Sequence, residues 1–313
     1  MKTLPLGNTG VQVSAMCMGT IYLGAREDRA TSYRLMDRYV DAGGSFFDTA
    51  NIYSWWLPGC AGGECETILG EWMRERRNRS QVFIASKVGF QYPGVERGLT
   101  RARIEAECDK SLRRMGIDTI DLYYSHVDDP NTPMEETMAA FDRLVKAGKA
   151  RFIGASNFAA WRLEESRWVS RAHGWAEYVC VQQRHTYLRP RPGATFSPQM
   201  VANTDLFDYC RARGVTLLAY SPLLNGAYTR PDRPIPAQYA GPDTDARLAA
   251  LRAVAREVNA TPNQVVLAWM LRSNPVALPV FAASTDEQLR ENLGALDVAL
   301  TDEQMSRLDE AAG

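Results

Sequence analysis

Ser45-Phe46-Phe47-Asp48-Thr49-Ala50-Asn51-Ile52-Tyr53 is an apolar run too short for a helix that ends in a carboxylate, with a phenol five residues beyond it. Gly43-Gly44 bounds it upstream, so it reads as a buried strand that stops near Asp48. A carboxylate at the end of a buried strand has two readings. Asp48 caps the following turn and Tyr53 is a loop aromatic, or the two belong to a site.

Three later strands favour the second reading, because they too end in polar groups. Val82-Phe-Ile-Ala-Ser-Lys87 ends in a lysine, Leu122-Tyr-Tyr-Ser-His126 in a histidine, and Phe152-Ile-Gly-Ala-Ser-Asn157 in a serine and an asparagine. Helical segments separate them, which makes the sheet parallel and puts its carboxyl ends on one face. A chain of 313 residues with this alternation throughout is expected to form one α/β domain over residues 1–313, a (β/α)8 TIM barrel.

Composition narrows the partners. The net charge is −1, with 36 basic and 37 acidic residues intermixed, so no electrostatic footprint for nucleic acid or an anionic membrane is visible. No apolar run has the length of a membrane span and the amino terminus lacks a signal-peptide core, which places the expected protein in the cytoplasm with a small-molecule partner. The six cysteines lie scattered at 17, 60, 65, 108, 180 and 210, without metal-type pairs, so neither a structural disulfide nor a zinc site is expected.

In chain order, residues 1–14 form a hairpin turning at Gly7-Asn-Thr-Gly10, and the first barrel strand spans Ala15 to Gly19. Helices follow over Ala30–Ala42, with Gly43 as its stop, and Glu64–Arg76. Another is capped at Thr100, carries the stripe Ile104, Cys108, Leu112 and Met115, and stops at Gly116. Thr132-Pro-Met-Glu135 reads as a capping box ahead of the buried face Met134, Met138, Phe141, Leu144 and Val145. Strands six, seven and eight are Tyr178–Gln182, Val215–Tyr220 and Ala277–Phe281. Thr261, Thr285 and Thr301 each open a helix with a glutamine three residues on. The proline-rich segment Leu224 to Thr244 has no helical period and reads as a lid or flap. Trp55 and Trp56, adjacent in a glycine-rich loop after Tyr53, suggest a substrate wall, packing against a neighbouring loop being the alternative.

Asp48 with Tyr53, Lys87, and His126 following Asp121-Leu122 resembles the catalytic tetrad of the aldo-keto reductase superfamily. The likeness runs from Leu6-Gly-Asn-Thr-Gly-Val through Gly154-Ala-Ser-Asn-Phe158 and Tyr220-Ser-Pro-Leu223 to Glu291-Asn292. It implies an N-terminal β-hairpin plug at the amino-terminal end of the barrel, a nicotinamide cofactor and a carbonyl substrate. By the same resemblance Ser156, Asn157 and Gln182 face the nicotinamide carboxamide, Asp48 also belongs to the cofactor-binding set, Tyr220 stacks on the nicotinamide ring, and Ser221, Pro222 and Leu223 follow the pyrophosphate. Gly19 and Thr20 lie near the cofactor, though a strand glycine is as readily a packing accommodation.

The adenosine end departs from the family's common pattern, which places a glycine and a Lys or Arg just after strand eight to pair with the 2′-phosphate of NADP. Here the segment is Phe281-Ala282-Ala-Ser284-Thr-Asp-Glu-Gln288. Ser284, Gln288, Glu291 and Asn292 nevertheless resemble the set in voltage-gated potassium channel β subunits, which bind NADP, and Ala282 is expected to line the cofactor with them. NADP is the expected cofactor, with NAD open as the alternative. Arg290, Arg230 or Arg233 are the candidates for the missing charge.

Carbonyl reduction needs a proton donor at oxygen and positive charge to stabilise the forming alkoxide. Tyr53 fits the donor, and an adjacent Lys87 ammonium held by Asp48 is expected to draw the phenol pKa down from about 10. His126 orients the substrate or shares in proton delivery. The arginines between Arg184 and Phe196 hint at an anionic or hydroxylated substrate, against the plainer reading of solvated loop charge. A nicotinamide-nucleotide-sensing regulatory subunit with little turnover is the alternative from another class. With only three histidines and no second strand-end acid, hydrolytic barrels are poorly matched.

Overall fold

The computed structural model describes residues 1–311. Its first two strands, β1 (Thr3–Pro5) and β2 (Gln12–Ser14), pair antiparallel as the expected hairpin. Leu6 and Val13 are fully buried at the barrel's amino-terminal end, in one cluster with Cys17, Phe46, Phe83, Leu122 and Leu278 from the strand interiors. A hairpin that contributes apolar side chains to the barrel interior closes that end.

The remaining strands alternate with helices: β3 (Cys17–Gly19), α1 (Arg29–Asp41), β4 (Phe46–Asp48), α2 (Glu64–Arg76), β5 (Phe83–Val88), α3 (Arg101–Met115), β6 (Ile120–Ser125) and α4 (Met134–Lys146). There follow β7 (Ala150–Ser156), α5 (Ala160–His173), β8 (Tyr178–Arg184), α6 (Thr204–Arg213), β9 (Thr216–Tyr220), α7 (Thr244–Glu257), α8 (Pro262–Arg272), β10 (Ala277–Phe281), α9 (Asp286–Leu293) and α10 (Asp302–Asp309). All neighbours from β3 to β10 pair in parallel, and β10 pairs with β3 through Phe281 and Met18, which closes an eight-stranded (β/α)8 barrel. Closure in parallel puts every strand's carboxyl end on one rim.

The helices pack by the stripes the sequence carries. Ile104, Cys108, Leu112 and Met115 of α3 are buried, as are Met134, Met138, Phe141 and Leu144 of α4. Gly70 of α2 lies so close to α3 that a Cβ there would stand 2.4 Å from the Met115 carbonyl oxygen. Capping boxes close at Thr261 and Thr301 as expected. Thr285 caps α9, but the Gln288 side chain turns to the Ser284 amide instead of completing the box. The box expected at Thr132 does not form. The Thr132 hydroxyl donates to Asp129 Oδ2 at 2.6 Å, and Pro133 occupies the cap position. A buried aspartate in the preceding turn offers that hydroxyl a stronger acceptor bond than the helix end does.

The segment expected as a lid folds into two short 3-10 turns, Leu224–Gly226 and Ala237–Tyr239, and packs down through buried Tyr228 and Tyr239. No helix among the described residues is long and apolar enough to cross a membrane.

Candidate active site

Asp48 is the last residue of β4, Lys87 sits within β5 and His126 directly follows β6. Neighbouring parallel strands thus deliver three ionisable groups to one rim, and the loop after β4 returns Tyr53 over them. Asp48 and Lys87 are fully buried. Lys87 Nζ donates to Asp48 Oδ2 at 2.5 Å, to the Thr49 carbonyl at 2.8 Å and to the Tyr53 hydroxyl at 2.6 Å. Tyr53 in turn donates to Asp48 Oδ2 at 3.1 Å. The remaining Asp48 oxygen accepts from Gln182 Nε2 at 2.8 Å. All three Lys87 donors and both Asp48 oxygens are thereby engaged, the condition under which buried charges are tolerated.

Burial pulls the Lys87 pKa below its ordinary value, against the opposing pull of Asp48. The Tyr53 phenol is pushed up, first by burial and then by the Asp48 carboxylate. This corrects the expectation that Lys87 lowers it. Asp48 neutralises the ammonium at contact distance, so the phenol sees a near-neutral pair in a poorly hydrated setting and keeps its proton.

The His126 imidazole is held neutral, first by burial and then by Lys87, far below the usual histidine range. Its ring meets Tyr53 edge-on at 6.0 Å and Phe90 at 4.7 Å. Its Nδ1 is buried with no hydrogen-bond partner among the described residues. Phe90 was not singled out in the sequence. Its position in a loop after β5, three residues past Lys87, is the signal that could have marked it. Trp55 and Trp56 lie edge to face on each other at 6.5 Å and remain 36% and 44% exposed, which leaves an apolar surface beside Tyr53.

The residues expected around a nicotinamide collect on the other side of the same rim. Ser156 ends β7, Gln182 lies in β8 and Tyr220 ends β9 with its ring half-buried. Asn157 is spent within the protein: its Nδ2 donates to the His126 carbonyl and to Ser156, and its Oδ1 accepts from Tyr220 and the Met200 amide. A hydroxyl, an amide oxygen and an aromatic face remain, a donor set that fits a planar ring bearing a carboxamide. Thr20 is buried and donates from its amide and hydroxyl to the Asp48 carbonyl, so it braces the site. Beyond β9, Ser221 adopts φ +55° and the Pro222 carbonyl accepts from Thr186, while Leu223 is partly buried.

Past β10, Asn292 donates to the Ala282 carbonyl, Gln288 accepts from the Ser284 amide and Glu291 accepts from Asn263. Among the described residues, none of the three arginines nominated for this end donates a side-chain hydrogen bond to it. Arg230 and Arg233 pair with Asp232, and Arg290 lines a cavity with Met1 and Lys2 at the hairpin end. The arginines of the β8 to α6 loop are neither free nor merely solvated. Arg184 donates to Gln199, Arg189 to the Asp309 carbonyl and Arg191 to the Ala237 carbonyl, so they tether the loop.

Comparison with known proteins bears on the family and the fold. The aldo/keto reductase family matches residues 15–312. An uncharacterized oxidoreductase YrpG of Bacillus subtilis is 31% identical over 327 residues, covering 99% of this chain and 95% of the relative. A putative voltage-gated potassium channel subunit beta of Schizosaccharomyces pombe is 29% identical, covering 97% and 91%. The crystal structure of a thermostable aldo-keto reductase, Tm1743, in complex with the inhibitor epalrestat, superposes with a TM-score of 0.79 at 29% identity, covering 100% of both chains.

Proposed function

The chain belongs to the aldo/keto reductase family, and on that footing we propose that it reduces an aldehyde or ketone, sugar-derived carbonyls included, to the alcohol with NADPH as reductant and Tyr53 as proton donor. The observation that carries this reading is the 2.6 Å contact between the buried Lys87 ammonium and the Tyr53 hydroxyl, with Asp48 closing the triangle.

When bound, the nicotinamide nucleotide supplies a hydride to the carbonyl carbon. Tyr53 hands its proton to the carbonyl oxygen as negative charge builds there, and Lys87 stabilises the phenolate left behind. Asp48 keeps Lys87 charged against its burial. Neutral His126 orients the carbonyl oxygen without placing a second cation beside Lys87. Ser156, Gln182 and Tyr220 would hold the nicotinamide end, and the segment from Ala282 to Asn292 would hold the adenosine end. Phe90, Trp55 and Trp56 cover the apolar part of the substrate.

The test is Tyr53→Phe, assayed for NADPH oxidation against a panel of reactive aldehydes and for NADPH binding by fluorescence. Loss of about 10²- to 10⁴-fold in kcat with unchanged NADPH affinity is expected. Full activity in the variant refutes the acid role. The likeness to a channel β subunit supports a second reading, a nucleotide sensor with little turnover, which gains if the wild-type protein binds NADPH and oxidises none with any aldehyde of the panel.

A further inference from the structure

Parallel closure of the barrel has a local effect at the adenosine end. Because β10 pairs with β3, the loop leaving β3 and the segment leaving β10 emerge side by side on the carboxyl rim. A basic group missing from the second segment can therefore be supplied by the first.

Arg26 of the β3 to α1 loop does reach across. Its Nη2 donates to Ser284 Oγ at 2.5 Å, its Nε pairs with Glu27 at 2.7 Å, and its guanidinium lies over the Tyr22 ring at 3.7 Å. Three contacts on different edges and a face hold the guanidinium in one orientation. The side chain is still 48% exposed, so it remains open to a ligand. Ser284 is itself fixed, since its amide donates to Gln288 Oε1 at 2.8 Å. A cation and a hydroxyl set together suit a phosphate monoester, which accepts from both.

We propose that Arg26 reads the 2′-phosphate and is the residue that determines specificity for NADP over NAD. The assignment rests on the cofactor seat proposed above for Ala282 to Asn292. Glu27 opposes the phosphate, being a carboxylate on the Nε edge, and this makes it a discriminating partner. If Arg26 only ties two loops together, Glu27 supports it; if Arg26 binds phosphate, Glu27 competes.

The experiment titrates wild type, Arg26→Gln, Arg26→Lys and Glu27→Gln with 2′,5′-ADP and with 5′-AMP by calorimetry at several salt concentrations. Expected is a wild-type preference for 2′,5′-ADP that falls about tenfold or more in Arg26→Gln, with 5′-AMP changed less than about twofold. Arg26→Lys retains part of the preference, the salt dependence flattens in Arg26→Gln, and Glu27→Gln binds 2′,5′-ADP more tightly. Equal weakening of both ligands, or of neither, in Arg26→Gln overturns the assignment and leaves the NADP reading standing. A wild-type protein without preference overturns both. No arm depends on turnover, so failure of the Tyr53 role would not register here.

Discussion

Asp48 and Gln182, on β4 and β8 at opposite sides of the closed barrel, are joined by a hydrogen bond of 2.8 Å from Gln182 Nε2 to Asp48 Oδ1. The carboxylate that holds Lys87 is thus itself held from across the molecule. Gln182→Met keeps the volume and removes the donor, leaving one buried carboxylate oxygen unsatisfied. A loss of about 1–3 kcal/mol in stability and a fall in kcat larger than any change in KM are expected, read by urea denaturation and steady-state kinetics. Wild-type values in both would show that Lys87 and Tyr53 suffice to orient Asp48.

Two histidines tie stability to pH. Burial holds His126 far below the usual range and His185 at about 4, whereas in the unfolded chain each returns to about 6.5. Below that value the unfolded chain binds protons that the folded one does not. Stability is therefore fully present above 6.5 and declines as the pH falls through 6.5 towards 4, by about 1.4 kcal/mol per unit for each group fully in that window. Denaturation midpoints measured from pH 7.5 to 5 should fall, and less so in His185→Gln. A flat series would mean that neither ring is buried neutral. The same neutrality predicts no inflection from His126 near pH 6.5 in the kcat profile.

Glu66, fully buried at the start of α2, accepts from Ser86 Oγ at 2.5 Å and from Arg114 Nη1 at 2.9 Å. Ser86 directly precedes Lys87, so this carboxylate braces the strand that carries the lysine. Glu66→Ala leaves Arg114 without its partner and is expected to destabilise by about 3–5 kcal/mol. Glu66→Gln, which keeps an acceptor, should lose less. Equal losses, measured by thermal or urea unfolding, would show that charge is irrelevant at this position.

For Gly70 two effects compete. Alanine improves helix propensity by about 1 kcal/mol, but its Cβ would stand 2.4 Å from the Met115 carbonyl oxygen, a backbone atom that cannot swing aside. The clash wins, and Gly70→Ala should be net destabilising by about 1–3 kcal/mol. A raised unfolding midpoint would show that α2 can slide off α3 at little cost.

What the sequence carried and what it hid divide along physical lines. Strand ends and buried helix stripes were legible because each is written in contiguous residues, as a short apolar run or at period 3.6. Asp48, Lys87 and His126 were legible because each lies at or within a residue of the carboxyl end of a strand. Arg26 was hidden because its partner Ser284 lies 258 residues away and only the pairing of β10 with β3 makes them neighbours. Glu66 and Glu107 look like ordinary helix surface, yet both are buried, since Arg114, Tyr92 and Asn51 from other elements turn inward to meet them. Thr132 failed as a cap for a related reason: Asp129, three residues upstream, claimed its hydroxyl.

The hairpin of β1 and β2 stoppers one end of the cylinder with Leu6 and Val13, and Cys17, Phe46, Phe83, Leu122 and Leu278 fill the space above them. A cylinder packed solid from its floor upward leaves the ionisable groups Asp48, Lys87 and His126 nowhere to gather but the opposite rim.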